Sequence, residues 1–178
     1  MSLAPTTVAQ TKTASPRVYD LPRGPLTRIP SPGRKWTLVF ECPKDCAERK
    51  LWIEDGTTHR RTLVREFIRS LDISWAPDSR FFFVNDAYGS NGTECYVYES
   101  RTLEATDVMD LVKAGDPEAT TYLVAGHSYL WAKRWINSGE LLVVLSGHFD
   151  NPPAREFKRE YRVNVNGTVR RLSTFPRE

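Results

Sequence analysis

The sequence has no long apolar run: its longest, Leu141 to Leu145, falls far short of the roughly 18 residues that a membrane-spanning helix needs. No membrane span is therefore expected. Neither charge sign dominates, with 25 basic residues against 22 acidic ones and a net charge of +3. Such a mixture builds no strong single-sign field, so a nucleic-acid partner is not implied. Cysteine is scarce, and Cys42, Cys46 and Cys95 are too few for the usual four-ligand zinc site. No metal and no cofactor is expected. Cys42 and Cys46 flank Pro43-Lys44-Asp45 and can close a small ring within one turn; Cys95 paired with either, or free thiols, are the competing arrangements.

What is present favours strands and turns. At 178 residues the chain is long enough for one domain whose core needs neither metal nor disulfide. Its 12 prolines and 10 glycines accompany β-branched and aromatic runs. The segment Ala4 to Pro16, rich in Thr, Ala and Pro, has the composition of a flexible leader, which we extend to residue 24. Leaders of this kind follow a cleaved export signal or a lipid-anchored cysteine. The expectation is an exported chain (periplasmic, extracellular or lipid-anchored) with a single domain over residues 25–178.

Within that domain one grammar repeats over residues 25–66, 67–115 and 120–175: a Pro, Gly, Asp or Ser turn, an apolar strand, a polar loop, a second strand, a turn and a third strand. In the first copy Ser31-Pro32-Gly33-Arg34 leads into Trp36–Phe40, then Lys50–Glu54, the turn Asp55-Gly56-Thr57 and Arg61–Val64. In the second, Ile73-Ser74-Trp75 precedes Ala76-Pro77-Asp78-Ser79-Arg80, then Phe81–Val84 and Cys95–Tyr98. The third runs through Leu130–Ile136, Leu141–Leu145, Tyr161–Val165, the turn Asn166-Gly167-Thr168 and Val169–Leu172. Asp55-Gly56 and Asn166-Gly167 supply residues tolerant of positive φ at hairpin corners. Thr106 is placed to cap one short helix from Asp107, with Val108, Leu111 and Val112 as its apolar stripe and Gly115 as its stop.

Trp75-Ala76-Pro77-Asp78-Ser79-Arg80-Phe81-Phe82-Phe83 and Leu51-Trp52-Ile53-Glu54-Asp55-Gly56 resemble the two halves of a TolB-like or WD-repeat-like β-propeller blade. The resemblance implies a mainly β fold: three four-stranded antiparallel blade-like repeats of a partial or oligomer-completed β-propeller, with one short helix. Propellers have four to eight blades. Three copies are closed by a second chain in a homodimer, by strands from Arg17 to Ile29, or remain an open assembly with protected edges.

No constellation has the frame of a catalytic motif. His148 and Asp150 near Ser146 form a hydrolase alternative, in which the imidazole takes a hydroxyl proton and the carboxylate orients it, but Ser146 lacks a Gly-x-Ser-x-Gly frame. His59 lies in a polar hairpin and His127 ahead of a strand. Asp86, Ser90, Asn91 and Glu94 offer oxygen donors without the alternation of a calcium loop. The basic run Arg155 to Arg162 is interrupted by Glu156 and Glu160 and fits an outer strand charged against edge pairing. Trp36, Trp52, Trp75, Trp131 and Trp135 are assigned to the core.

In a blade the loop between the second and third strands emerges on the same side as the connection to the next blade. Those loops are Cys42–Arg49, Asp86–Glu94 and Gly147–Lys158. Insertions on one face of a repeat protein form its binding surface, so Asp86, Tyr88, Asn91, His148, Phe149 and Asp150 are the candidate contacts for a protein or peptide partner. The functional expectation is an exported binding or scaffold protein; its alternative is a hydrolase or sugar-processing enzyme with its site on the same face.

Overall fold

The two turns that the first and second copies share close in the same way. In the computed structural model, which describes residues 17–42, 48–123, 127–150 and 155–175, Ser31 N–H donates to Trp36 O at 2.8 Å and Arg34 N–H to Ser31 O at 2.8 Å. Forty-five positions later Ala76 N–H donates to Phe81 O and Ser79 N–H to Ala76 O, with Arg34 and Ser79 both at positive φ, 56° and 66°. The repeat is thus a backbone repeat. The turns also touch, through a 2.8 Å bond from Gly33 N–H to the Ser79 hydroxyl.

Among the described residues there are thirteen strands: β1 (Tyr19–Leu21), β2 (Leu26–Pro30), β3 (Trp36–Glu41), β4 (Arg49–Asp55), β5 (Arg61–Phe67), β6 (Ser70–Trp75), β7 (Phe81–Ala87), β8 (Gly92–Glu99), β9 (Ala105–Asp107), β10 (His127–Asn137), β11 (Glu140–Phe149), β12 (Arg155–Asn164) and β13 (Val169–Phe175). Strands β2 to β5 form sheet I, an antiparallel meander. Strands β6 to β9 form sheet II and β10 to β13 sheet III, each again antiparallel between neighbours. A two-step parallel pairing, Ser128 opposite Gly92 and Tyr129 opposite Thr93, ties β10 to the start of β8 and joins sheets II and III.

Arg17 to Ile29 does contribute strands. β1, inside the segment assigned to the leader, pairs antiparallel with β6, and Leu21 is fully buried; β2 is the edge of sheet I. Among the described residues two helices stand where one is expected. In α1 (Val108–Gly115) Asp107, not Thr106, is the cap, its carboxylate accepting from Met109 N–H at 2.8 Å. α2 (Ala119–Leu123) follows after the bend at Asp116-Pro117.

Sheet II is buried on both faces, as strands sandwiched between sheets must be. Leu71, Ile73, Trp75, Phe82, Val84 and Tyr98 pack against Leu38, Phe40, Leu51 and Ile53 of sheet I. The alternate positions Phe83, Cys95 and Val97 pack against Leu130, Trp135, Val143 and Tyr161 of sheet III and Val108 and Val112 of α1. The order is sheet I, sheet II, sheet III, an open partial propeller. Indole N–H groups stitch the layers: Trp75 donates to Ile29 O at 3.1 Å and Trp135 to Ser74 O at 3.0 Å. Trp52 and Trp131 are half-buried and outside the two core clusters, whereas the half-buried Trp36 packs against the core between sheets I and II.

The two Asn/Asp-Gly corners differ. Gly167 has φ +102°, the handedness expected of it. Gly56 does not; it is needed because a Cβ there would lie 2.8 Å from Arg34 O, and the positive φ of that hairpin falls on His59.

Candidate functional site

The strand ends at Ala87, Gly92, His127, Phe149 and Arg155 all lie on the face where β5 passes to β6 and sheet II passes to sheet III. Residues 43–47 and 151–154 of the expected loops, Cys46 among them, lie outside the described residues. Cys42 is disulfide-bonded, whereas Cys95 is a free, buried thiol, which removes the pairings that involve Cys95. Burial pushes the Cys95 thiol up to about 12, so it stays protonated and inert at neutral pH.

Of the six expected contact residues, Asp86 turns inward. It is 4% exposed and takes a 2.6 Å bond from Arg65 Nε of β5, bridging sheets I and II. Burial raises its carboxyl, and Arg65 partly offsets the shift. The same guanidinium lies 3.6 Å from Glu94 and 4.4 Å from the centre of the Tyr96 ring. Arg65 therefore occupies the place a calcium ion would need between Asp86 and Glu94. Tyr88 is 46% exposed, and its hydroxyl covers Gly92, where an added Cβ would clash with it. Asn91 is exposed, with its carbonyl accepting from Ser128 N–H at 3.1 Å, and Ser90 O accepts from the Tyr129 hydroxyl at 2.7 Å. The short β7–β8 loop is thus tied down onto β10.

The third loop is shorter than its sequence suggests. β11 continues through Ser146-Gly147-His148-Phe149 and pairs His148 with Glu156 and Phe149 with Arg155. Gly147 permits this, since a Cβ there would meet His127 O at 1.9 Å. Phe149 joins the core margin, its ring 6.0 Å from Tyr122 and 5.5 Å from Phe157. His148 stands opposite His127 in the ladder, and the two imidazoles stack at 4.2 Å. His127 Nδ1 lies 3.0 Å and His148 Nε2 3.7 Å from the same Asp150 oxygen. His148 and Asp150 are therefore brought together, but around His127, which no local pattern in the sequence could attach to them.

Beside this cluster a groove of about 310 Å³ runs between sheets II and III, lined by Ser70, Asp72, Asn85, Ala87, Thr93, Tyr129 and Trp131. These residues sit at the starts of β6, β8 and β10 and the end of β7, so the groove opens on the loop face. Its floor is rigid: the Asn85 amide bonds both ways with the Ala132 backbone, at 2.9 and 2.8 Å. Burial, with the charge of Asp20, raises the Asp72 carboxyl above its ordinary value, while Asn85 holds it down.

The basic run Arg155 to Arg162 is not wholly a charged surface. Arg159 is 1% exposed and reaches Asp116 at 3.0 Å, Glu118 at 3.3 Å and the Tyr122 hydroxyl at 3.1 Å. Tyr161 donates to the same Asp116 oxygen at 3.0 Å. This arginine fastens the bend between α1 and α2 to sheet III; it is unavailable to a ligand.

No family model and no curated protein matches the chain. Solved structures do. The chain superposes on the β-propeller domain of the Trilobed protease from Pyrococcus furiosus with a TM-score of 0.53 at 14% identity, over 84% of this chain and 43% of that one. A putative TolB from Agrobacterium tumefaciens gives 0.46 at 12% identity over 84% and 50%, and the acylaminoacyl peptidase of Pyrococcus horikoshii 0.47 at 13% over 84% and 25%. The chain spans half or less of the length of these structures. What the likeness to the Trilobed protease domain establishes is the fold alone, that of a β-propeller.

Proposed function

We propose that this chain is a binding or scaffold module that holds a protein or peptide segment on its loop face, in the groove between sheets II and III. The observation that carries the reading is the groove itself: two aromatic side chains, Tyr129 and Trp131, face Ser70, Asp72, Asn85 and Thr93 across about 310 Å³. Apolar walls with a few fixed polar groups are the composition of recognition sites. Exposed Ile68, at 78%, and Tyr88 add apolar surface on the same face. Export fits the disulfide at Cys42, because such bonds persist in oxidising compartments.

The test is peptide selection on immobilised full-length chain, with affinities of the recovered peptides measured on the parent and on Trp131→Ala and Tyr129→Ala. Loss of a buried aromatic contact weakens binding by about 2 kcal/mol, or roughly thirtyfold. Peptides that bind both variants as tightly as the parent place the site elsewhere, and failure to recover any binder rejects the reading. The second reading, a hydrolase, draws on the 3.0 Å contact that orients the His127 imidazole against Asp150. It requires the parent to turn over an ester, peptide or glycoside and His127→Ala to abolish that turnover.

A further inference from the structure

At the loop-face end of sheet III, neighbouring strands bring metal-competent side chains into one row. His127 of β10 is opposite His148 of β11, and His148 is opposite Glu156 of β12, so all three project from the same side of the sheet. Asp150, just beyond β11, completes the group, and one ligand atom from each of His127, His148 and Asp150 lies within 4.8 Å of the others. We propose that His127, His148 and Asp150, joined by Glu156, form a binding site for a divalent transition-metal ion of the zinc class.

The spacing suits such an ion. Ligands at about 2.0–2.1 Å from a tetrahedral zinc are about 3.3 Å from one another; the distances to Asp150 are 3.0 and 3.7 Å. The imidazole planes are 17° from parallel, and rotation about χ2, which is broad for histidine, turns both nitrogens toward a shared ion. Glu156 stands directly across from His148, where facing Cβ atoms are about 4.5–5.5 Å apart. Two imidazole nitrogens with carboxylate oxygens select zinc, nickel or copper over magnesium and calcium, which prefer all-oxygen shells.

The surroundings leave the position open. The His127, His148 and Asp150 side chains are 35%, 40% and 57% exposed, so an ion enters directly from solvent. Lys158, the next residue on the same side of β12, pairs with Glu160 at 3.4 Å. Arg155, opposite Phe149, belongs to the other side of the sheet. Behind the row, Phe149, Tyr122 and Phe157 pack ring to ring and fix the strand ends that carry the ligands. Both cysteines among the described residues are out of competition, one oxidised and one buried. The site stands whether or not the groove holds a peptide.

The test is calorimetric titration of the untagged full chain with zinc chloride, repeated with magnesium and calcium. One zinc ion per chain is expected, with a rise in Tm that magnesium and calcium do not produce. Removing even a residue that only orients a zinc ligand costs about 10–100-fold in affinity, so His127→Ala and His148→Ala each weaken binding by at least that range. The double variant binds no zinc, and His59→Ala binds as the parent does. Glu156→Gln weakens binding if Glu156 is a ligand; unchanged affinity removes it from the site. Far-UV dichroism and His148→Gln separate ligand loss from misfolding. No zinc uptake by the parent, uptake unchanged in the double variant, or equal uptake of magnesium overturns the proposal.

Discussion

Between sheets I and II, Phe82 lies edge-on to Trp75, centroids 5.0 Å apart, and stacks on Tyr98 at 5.3 Å, with Arg65 and Asp86 closing the seam at the loop face. Between sheets II and III the corresponding positions of the same strands are Phe83, Cys95 and Val97, and the seam also takes in α1. Beyond it, Arg159 carries its charge into the interior under α2. Both seams start from strands that alternate in the same way. They differ because the first connection, Ile68-Arg69, is too short to bring anything between the sheets, while the second contains two helices whose polar ends must be satisfied inside. A short link leaves ring packing to hold the layers; a long one adds a polar network.

The sharpest break of this comparison is a matched pair of substitutions. Phe82→Ala empties the first seam and is expected to cost about 3–5 kcal/mol. Arg159→Met leaves Asp116 buried without its principal cation and costs a similar amount, about 3–5 kcal/mol. Urea unfolding of both variants measures this. What distinguishes them is rescue: adding Asp116→Asn to Arg159→Met removes the stranded charge and restores part of the loss, whereas no polar change restores Phe82→Ala. Equal failure of rescue in both would make the second seam apolar in its energetics, contrary to its geometry.

A smaller effect is expected at the ion pair that the seams do not share. Arg65→Met takes the partner from Asp86, which is 4% exposed, at a cost of about 1–3 kcal/mol. The loss is less than for Arg159→Met because the Arg65 side chain is 22% exposed, so water already reaches the pair. A cost equal to that of Arg159→Met would mean that both seams depend equally on charge.

Much of the strand grammar was legible because it is local. Pro32-Gly33 and Pro77-Asp78 set turns within five residues, and the doubly apolar run Phe81–Val84 announces a strand covered on both faces. The end of β11 was not legible: Ser146-Gly147 carries turn chemistry, and only the carbonyl of His127, from another strand, explains why glycine is needed there. Arg159 looked like surface charge because its partners Asp116 and Glu118 lie about forty residues away in sequence. His127 was missed for the same reason, since ladder register, not spacing, sets it beside His148. Composition did not separate Asp86 from Tyr88; it took the position of Arg65 to show that one faces in and the other out.

The smallest effects appear at the extremes of pH, where the two sides of the molecule respond in opposite directions. On sheet I, hydrogen bonds from Arg28 and then Arg61 hold the Glu54 carboxyl down at about 2, below its ordinary 4.5. A lowered folded value means that this contribution is complete above pH 4.5 and is lost as pH falls toward 2. In the seam between sheets II and III the sign reverses. Burial raises Cys95 from 9.0 to about 12, and burial with the Asp116 hydrogen bond raises the Tyr161 phenol. Stability there is complete below pH 9 and is lost as pH rises toward 12, because the unfolded chain ionises first. Alkylation of Cys95 reports this directly: at pH 9 the native thiol stays unmodified, and it reacts once urea opens the seam. Rapid modification of the folded chain at that pH would show that the second seam opens more readily than its packing implies.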